Sequence, residues 1–492
     1  MNKKYSQKNQ QKKVTDLENV SLPQDFLRDF EKDFGNEDAQ KYQQEFSKNA
    51  VRGIRFLSFK ANPQPVLDSC KLCLKVVPYF DNAFYLLGDE KLGNSILHQC
   101  GAIYLQEPSS MVPVASVKNF DFDNKLVLDL CASPGGKTTQ IASLMNGSGE
   151  LVSNEIDTKR AKVLFSNIER LGVKNAVVTN ETPQNLARQF VSTFDYIFVD
   201  APCSGEGMFR KDKQAILEWN ENLKFYNKDR QLEILHSADK MLKNGGIIVY
   251  STCTYNLVEN ESVVNDFTKD CGYEILPLEQ NILDVTICGK ILNGNEELSK
   301  TAHFVPYKAM GEGQFVAILK KSGKDDDILK KSQNLQPKSS DINIIKDFFV
   351  QNLVADSYEK FDILVNKEKI CVLEKQSNLL GVNNVNALTK GVILGEIIKN
   401  RLEIHHQFFS AYGGLFKNYV NIKMDSEILK KYALGVELSL DEIRSSSDLI
   451  CEKNNSNGYG VIMASGYSLG GYKLVDGKLK NHYPKALRIN KI

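Results

Sequence analysis

Between about residues 111 and 321, short apolar stretches alternate with longer segments of helical period. Apolar cores at 126–130, 150–154, 175–179, 195–200, 246–251 and 314–319 predict strands. Amphipathic segments between them, such as Lys159 to Leu171 and Tyr226 to Leu242, predict helices. That alternation predicts an α/β, Rossmann-like domain, with a parallel sheet covered by helices on both faces. Residues 23–110 mix helical patterns with the basic run Val51-Arg52-Gly53-Ile54-Arg55-Phe56 and predict an N-terminal α+β domain. Residues 322–342 are rich in Lys, Ser and Asp and predict a linker. A mixed region (343–420) follows. The last segment, 421–492, is rich in Gly and Tyr and predicts a β-rich module, with Val475-Asp476-Gly477-Lys478 as a hairpin.

Composition narrows the class. With 42% hydrophobic and 25% charged residues the chain is an ordinary globular protein. No apolar run approaches the ~18 residues a membrane span needs. Met1 to Lys13 carries five Lys and no apolar core, so residues 1–22 are expected to form a solvated basic arm rather than a secretory signal. Ten scattered cysteines suit a reducing cytoplasm. Cys70-x-x-Cys73 lacks the two further ligands of a structural zinc site, and no metal is expected; the pair is expected on two apolar helix faces. A net charge of +1 gives no global attraction to nucleic acid, but six Lys/Arg against Asp476 alone from Lys473 onward fit local phosphate contacts. No sustained heptad asks for a partner, so a monomer is expected.

One strand–loop has the makings of a cofactor site. Asp129 ends the first strand, and Cys131-Ala132-Ser133-Pro134-Gly135-Gly136-Lys137 follows. The Pro-Gly-Gly turn lets backbone amides approach a ligand, and the helix expected from Thr138 favours an anionic group at its start. Glu155 ends the next strand, 20 residues after Gly135, a spacing that suits ribose hydroxyls. Neither G-x-G-x-x-G nor a Walker loop is complete, since Cys131 stands where the first Walker glycine belongs. An adenosine-bearing ligand with a short charged tail fits best, and S-adenosyl-L-methionine is the obvious one.

Two thiols sit at further strand ends, in Pro202-Cys203 and Thr252-Cys253. Carbon-5 of a pyrimidine is too weak a nucleophile to take a methyl group unaided; a thiolate adding at carbon-6 activates it. Asp200 is placed to hydrogen-bond N3 or the exocyclic amine of a cytosine. Cys253 precedes a helix expected over 256–267, and Cys203 lies in the Gly-flanked loop Ser204-Gly205-Glu206-Gly207. Spacing alone leaves open which thiol attacks.

Asp-Leu-Cys-Ala-Ser-Pro-Gly-Gly-Lys-Thr at 129–138, Asp-Ala-Pro-Cys-Ser-Gly-Glu-Gly at 200–207 and Tyr-Ser-Thr-Cys-Thr at 250–254 resemble the signatures of the Sun/nucleolar-protein family of RNA (cytosine-5) methyltransferases. Gln106-Glu107-Pro108-Ser109-Ser110-Met111, Gly311-Glu312-Gly313-Gln314-Phe315 and Lys480-Asn481-His482-Tyr483-Pro484 are similar to its bacterial RsmF/YebU type, which acts on 16S ribosomal RNA. The resemblance implies Cys253 as nucleophile, Cys203 as an aid to release, and cofactor contacts from Cys131 through Lys137, Glu155 and Asp200. A further contact is implied after the third strand, where Thr182 stands and Glu181 is the substitute. It also implies a PUA-like RNA-binding module at the C-terminus, with Lys480, Lys485 and Arg488 on phosphates, and 16S rRNA or the small ribosomal subunit as partner. The segment Thr301 to Lys308 departs from its relatives at His303, Val305 and Tyr307, where RNA contacts would differ. Competing readings are a tRNA or DNA cytosine methyltransferase, or a non-catalytic rRNA-binding assembly factor.

Overall fold

The computed structural model describes residues 21–323, 338–366, 368–375, 385–454 and 456–488. The basic arm (1–20) and most of the expected linker (324–337) lie outside the described residues. Five parallel strands form the centre, in the order Leu242–Thr252, Phe194–Asp200, Leu126–Asp129, Glu150–Asn154, Ala176–Thr179. Alternate residues serve opposite cores, as the two-residue period of a strand requires. Val127, Leu151, Val178, Phe198 and Val249 pack on one face, and Leu128, Val152, Val177, Ile197 and Ile248 on the other. Both faces are buried, which is why these strands read as apolar blocks.

The connecting helices follow from their patterns. Helix Thr158–Leu171 is capped by the Asp157 side chain, ends at left-handed Gly172, and buries Ala161, Leu164, Ile168 and Leu171. Helix Leu223–Met241 starts three residues before the expected Tyr226 and buries Ile234, Leu235, Ala238 and Met241. Strand Leu242–Thr252 starts earlier than expected, and its edge is extended antiparallel by Gln314–Lys321, Ala302–Phe304 and Thr286–Cys288.

At the N-terminus, helices Gln24–Phe34 and Asn36–Phe46 precede a four-stranded antiparallel sheet that includes Arg52–Phe56. The helices do not stand apart. Phe26 and Phe30 meet Phe209 and Tyr255 edge-on at 5.1 and 5.4 Å, so they cover the segments around both candidate thiols. Cys70 follows the short helix Gln64–Ser69 and Cys73 is exposed before the strand Leu74–Val76, so the expected helical placement of this pair does not hold.

The region 343–420 is less separate than its sequence suggests. It forms a four-stranded antiparallel sheet, but its strand Ala387–Lys390 crosses to pair with Ala176–Thr179 at the edge of the central sheet. The C-terminal six-stranded sheet runs from Asn418–Ile422 to Lys478–Asn481, and Asp476-Gly477, both with positive φ, make the expected hairpin turn.

Candidate active site

Strand order reverses at Leu126–Asp129, which has Glu150–Asn154 on one side and Phe194–Asp200 on the other. Open α/β sheets bind ligands in the crevice outside the strand ends at such a point. The loop 131–137 lies there. Gly135 has φ +107°, a conformation that disfavours side chains, and the helix begins at Gly136, two residues before the expected Thr138.

The loop is held from three sides. Arg55, from the N-terminal domain, donates to Gln106 Oε1 at 2.6 Å, to Gly136 O at 2.9 Å and to Thr139 Oγ1 at 2.8 Å. Burial pushes its guanidinium down to about 9. Arg160 donates to Ser133 O at 2.9 Å, and Ala132 N to Asn154 O at 2.8 Å.

The acids around the loop suit a cationic ligand. Asp129 is fully buried; its Oδ2 accepts from Thr138 Oγ1 at 2.6 Å, while Oδ1 has no partner among the described residues. Burial pushes its carboxyl up to about 7. Glu155 is buried at the neighbouring strand end, its Oε1 accepting from Asp157 N at 2.9 Å. An acceptor without a donor, a buried acid at the next strand end and a small-residue loop at a helix start fit S-adenosyl-L-methionine, whose sulfonium and ammonium are cationic.

Lys137 does not offer a free ammonium to a phosphate. Its Nζ is buried 2.7 Å from Asp200 Oδ2, while Asp200 Oδ1 accepts from Ser251 Oγ at 2.9 Å and Gln314 Nε2 at 3.2 Å. Asp200 remains about a third exposed, and so presents a held polar edge to the crevice. Thr182 caps the helix Pro183–Gln189 by accepting from Asn185 N at 3.2 Å, and Glu181 accepts from Asn386 N at 3.0 Å. Both side chains of the third-strand pair are therefore engaged within the protein, Thr182 in its own helix cap and Glu181 with Asn386.

Fifty residues apart in sequence, the two thiols meet at the crevice: Cys203 Sγ and Cys253 Sγ are 3.3 Å apart. Hydrogen bonding to Cys253, reinforced by burial, pushes the Cys203 thiol up, and either sulfur can donate in this contact. Cys253 precedes helix Glu261–Cys271 by a turn longer than expected.

That longer turn exists to build a buried polar network. Glu206 Oε2 accepts from Tyr255 N and Asn256 N, both at 3.0 Å, and its Oε1 from Trp219 Nε1 at 3.1 Å and Asn256 Nδ2 at 3.0 Å. Glu259 accepts from Ser204 N at 3.0 Å, Gln231 Nε2 at 2.9 Å and Asn256 Nδ2 at 2.8 Å. Gly207 N donates to Cys253 O at 2.9 Å, and Gly313 N to Gly207 O at 3.2 Å. The two cysteine loops are thus one unit. Sequence reasoning missed Glu206, Glu259, Asn256, Gln231 and Arg55; the signals present were Asn256-x-x-Glu259, a capping-type spacing, and Glu206 inside the quoted motif.

Burial pushes the Glu259 carboxyl from 4.5 up to about 7. Between those values the folded chain holds a proton that the unfolded chain releases, so this group's contribution to stability falls as pH rises and levels off above about 7. Thermal melts of Glu259→Gln should therefore gain on wild type by about 1–3 kcal/mol between pH 4.5 and 7. A pH-independent difference would contradict this assignment.

Other expected contacts divide. Lys480 and Lys485 are exposed on the C-terminal module, whereas Arg488 is partly buried against Gly435. His303 is fully buried 2.8 Å from Glu261, and Val305 is buried too, so this segment offers no RNA contact at those positions. Among the described residues no cluster of His, Cys, Asp and Glu could hold a metal, and no helix is long and apolar enough to cross a membrane.

Residues 120–320 match the family described as 16S rRNA methyltransferase RsmB/F. Residues 22–108 match the N-terminal domain of 16S rRNA methyltransferase RsmF, and residues 419–489 the methyltransferase RsmF PUA domain. A ribosomal RNA small subunit methyltransferase F from Vibrio vulnificus is 31% identical over 84% of this chain and 85% of its own. One from Vibrio parahaemolyticus is 40% identical over about half of each chain (50% and 52%). Among solved structures, a methyltransferase homolog protein from Pyrococcus horikoshii aligns over 61% of this chain and all of its own, with TM-score 0.53 and 26% identity. NSun6 from the same organism, solved with SFG, shares the fold over 61% of this chain and 99% of its own, with TM-score 0.52 and 21% identity.

Proposed function

The chain belongs to the RsmF family of S-adenosylmethionine-dependent 16S rRNA methyltransferases, and from that premise we propose that it methylates carbon-5 of cytosine in 16S rRNA through a covalent Cys253 adduct. The observation that carries this reading is the 3.3 Å approach of two cysteine sulfurs at the switch point, beside the loop 131–137.

Bound S-adenosylmethionine supplies an electrophilic methyl group, held by the 131–137 loop with Asp129 and Glu155. The protein's residues do the rest. Asp200, fixed by Lys137, Ser251 and Gln314, accepts from the exocyclic amine of a cytosine that has left its stack, or from N3 once that nitrogen carries a proton. The Cys253 sulfur, its proton given up to solvent, bonds to carbon-6; the electron pair of the carbon-5–carbon-6 double bond is displaced and makes carbon-5 nucleophilic, and carbon-5 takes the methyl group as the methyl's bond to the cofactor's sulfur breaks. Loss of the carbon-5 proton to a base then breaks the carbon-6–sulfur bond and returns its electron pair to Cys253. Cys203, in contact with Cys253, assists this release.

The C-terminal module, with Lys480 and Lys485 outward, positions the folded RNA through phosphates. All ten cysteines are free thiols, which supports action in a reducing cytoplasm, and we take the working form to be a monomer. Bisulfite sequencing of 16S rRNA from cells with and without the protein tests the reaction. A cytosine protected only in its presence is expected; identical maps would overturn the reading.

A further inference from the structure

We propose that Phe225 and Tyr226, with Arg230 one turn on, form a platform on which RNA bases beside the target cytosine stack. The inference rests on the RNA-methylation reading above. Helix Leu223–Met241 links strand Phe194–Asp200 to the parallel strand Leu242–Thr252. To join the carboxyl end of one strand to the amino end of the other, it must begin at the edge of the sheet that holds both thiols. Gln231 confirms that placement: its Nε2 donates at 2.9 Å both to Pro202 O, next to Cys203, and to Glu259.

At the start of this helix two aromatic rings face water. Phe225 is 55% exposed and Tyr226 66%. Lys224 and Asn227 on either side are buried, so the backbone there is packed and the exposure is not fraying. Neither ring joins an apolar core, although N-terminal aromatics such as Phe26 and Phe30 fill one close by; the Lys224 ammonium lies 5.5 Å from the Phe225 ring centroid, which leaves Tyr226 as the more open ring. Arg230 is exposed, makes no ion pair among the described residues, and lies on the same helix face as Tyr226, four residues on. Its charge also reaches the Cys131 thiol in the cofactor loop.

RNA is the occupant that suits this surface. Turning a cytosine out of its stack strips its neighbours of partners, and aromatic rings with an arginine beside them replace that stacking whatever the base. Gln231, next to Arg230 on this helix, ties it to the loop that carries Cys203.

The test is steady-state methylation of a full-length 16S rRNA transcript by the double variant Phe225→Ala/Tyr226→Ala. KM for RNA should rise about 5- to 150-fold per stacked base. kcat at saturating RNA, the affinity for S-adenosylmethionine and the melting temperature should stay near wild type. Tyr226→Phe, which keeps the ring, should behave as wild type. An unchanged KM for RNA in the double alanine variant overturns the proposal while leaving the methylation reading intact. If the wild type methylates neither the transcript nor small ribosomal subunits, the methylation reading falls instead. The dissociation constants of the same two proteins for that transcript then decide the platform: equal values overturn it, and weaker binding by the variant upholds it.

Discussion

Cys253→Ala lowers kcat for methylation by at least about three orders of magnitude, while S-adenosylmethionine binds as before. The size of the effect follows from the chemistry: without a sulfur bonded to carbon-6, carbon-5 of cytosine has no electron density to offer the methyl group. The selectivity follows from the structure. Cys253 is half-buried and takes no part in the Glu206 and Glu259 networks, so its loss leaves the two loops joined. Single-turnover methylation and calorimetric titration of S-adenosylmethionine separate the two properties. Wild-type turnover in this variant would remove Cys253 from the chemistry.

Glu206→Ala is expected to damage both fold and activity. The side chain is buried, and four donors converge on its two oxygens: Tyr255 N, Asn256 N, Asn256 Nδ2 and Trp219 Nε1. Removing it strands these donors away from water, which costs on the order of 3–5 kcal/mol. For a chain of 492 residues the melting temperature should fall by roughly 3–5 °C. The same contacts hold the turn after Cys253 against the loop after Cys203, so activity should fall even below the new melting temperature. Glu206→Gln keeps an acceptor oxygen and should lose less on both counts. A Glu206→Ala protein of unchanged melting temperature would show that the network does not bind the loops.

Much of the catalytic domain was legible because its strands are buried on both faces. Blocks such as Tyr196 to Val199 admit few other readings, and all six expected strands of the central region form, with ends shifted by up to four residues. The 131–137 loop, Glu155, Asp200 and the paired thiols were legible because each ends a strand, and strand ends converge in this topology. What escaped depended on contacts far apart in sequence. Arg55 reads as one charge in a basic run, yet it is buried against Gly136 and Thr139. Ala387–Lys390 shows no sign of its partner, because pairing with Ala176–Thr179 spans some two hundred residues. Glu206 and Glu259 look like surface acids until the two loops close around them. Tyr226 reads from sequence as the start of an amphipathic helix, and only the exposure of its ring and of Phe225 sets the pair apart.

The division of labour between the two thiols is tested most directly by trapping. Cys203→Ala, incubated with 16S rRNA and S-adenosylmethionine and run on a denaturing gel, should give a slow band of protein bonded to RNA, because attack proceeds and release fails. The band should vanish in the Cys203→Ala/Cys253→Ala double variant. A covalent band from Cys253→Ala alone, with none from Cys203→Ala, would contradict the assignment and make Cys203 the nucleophile.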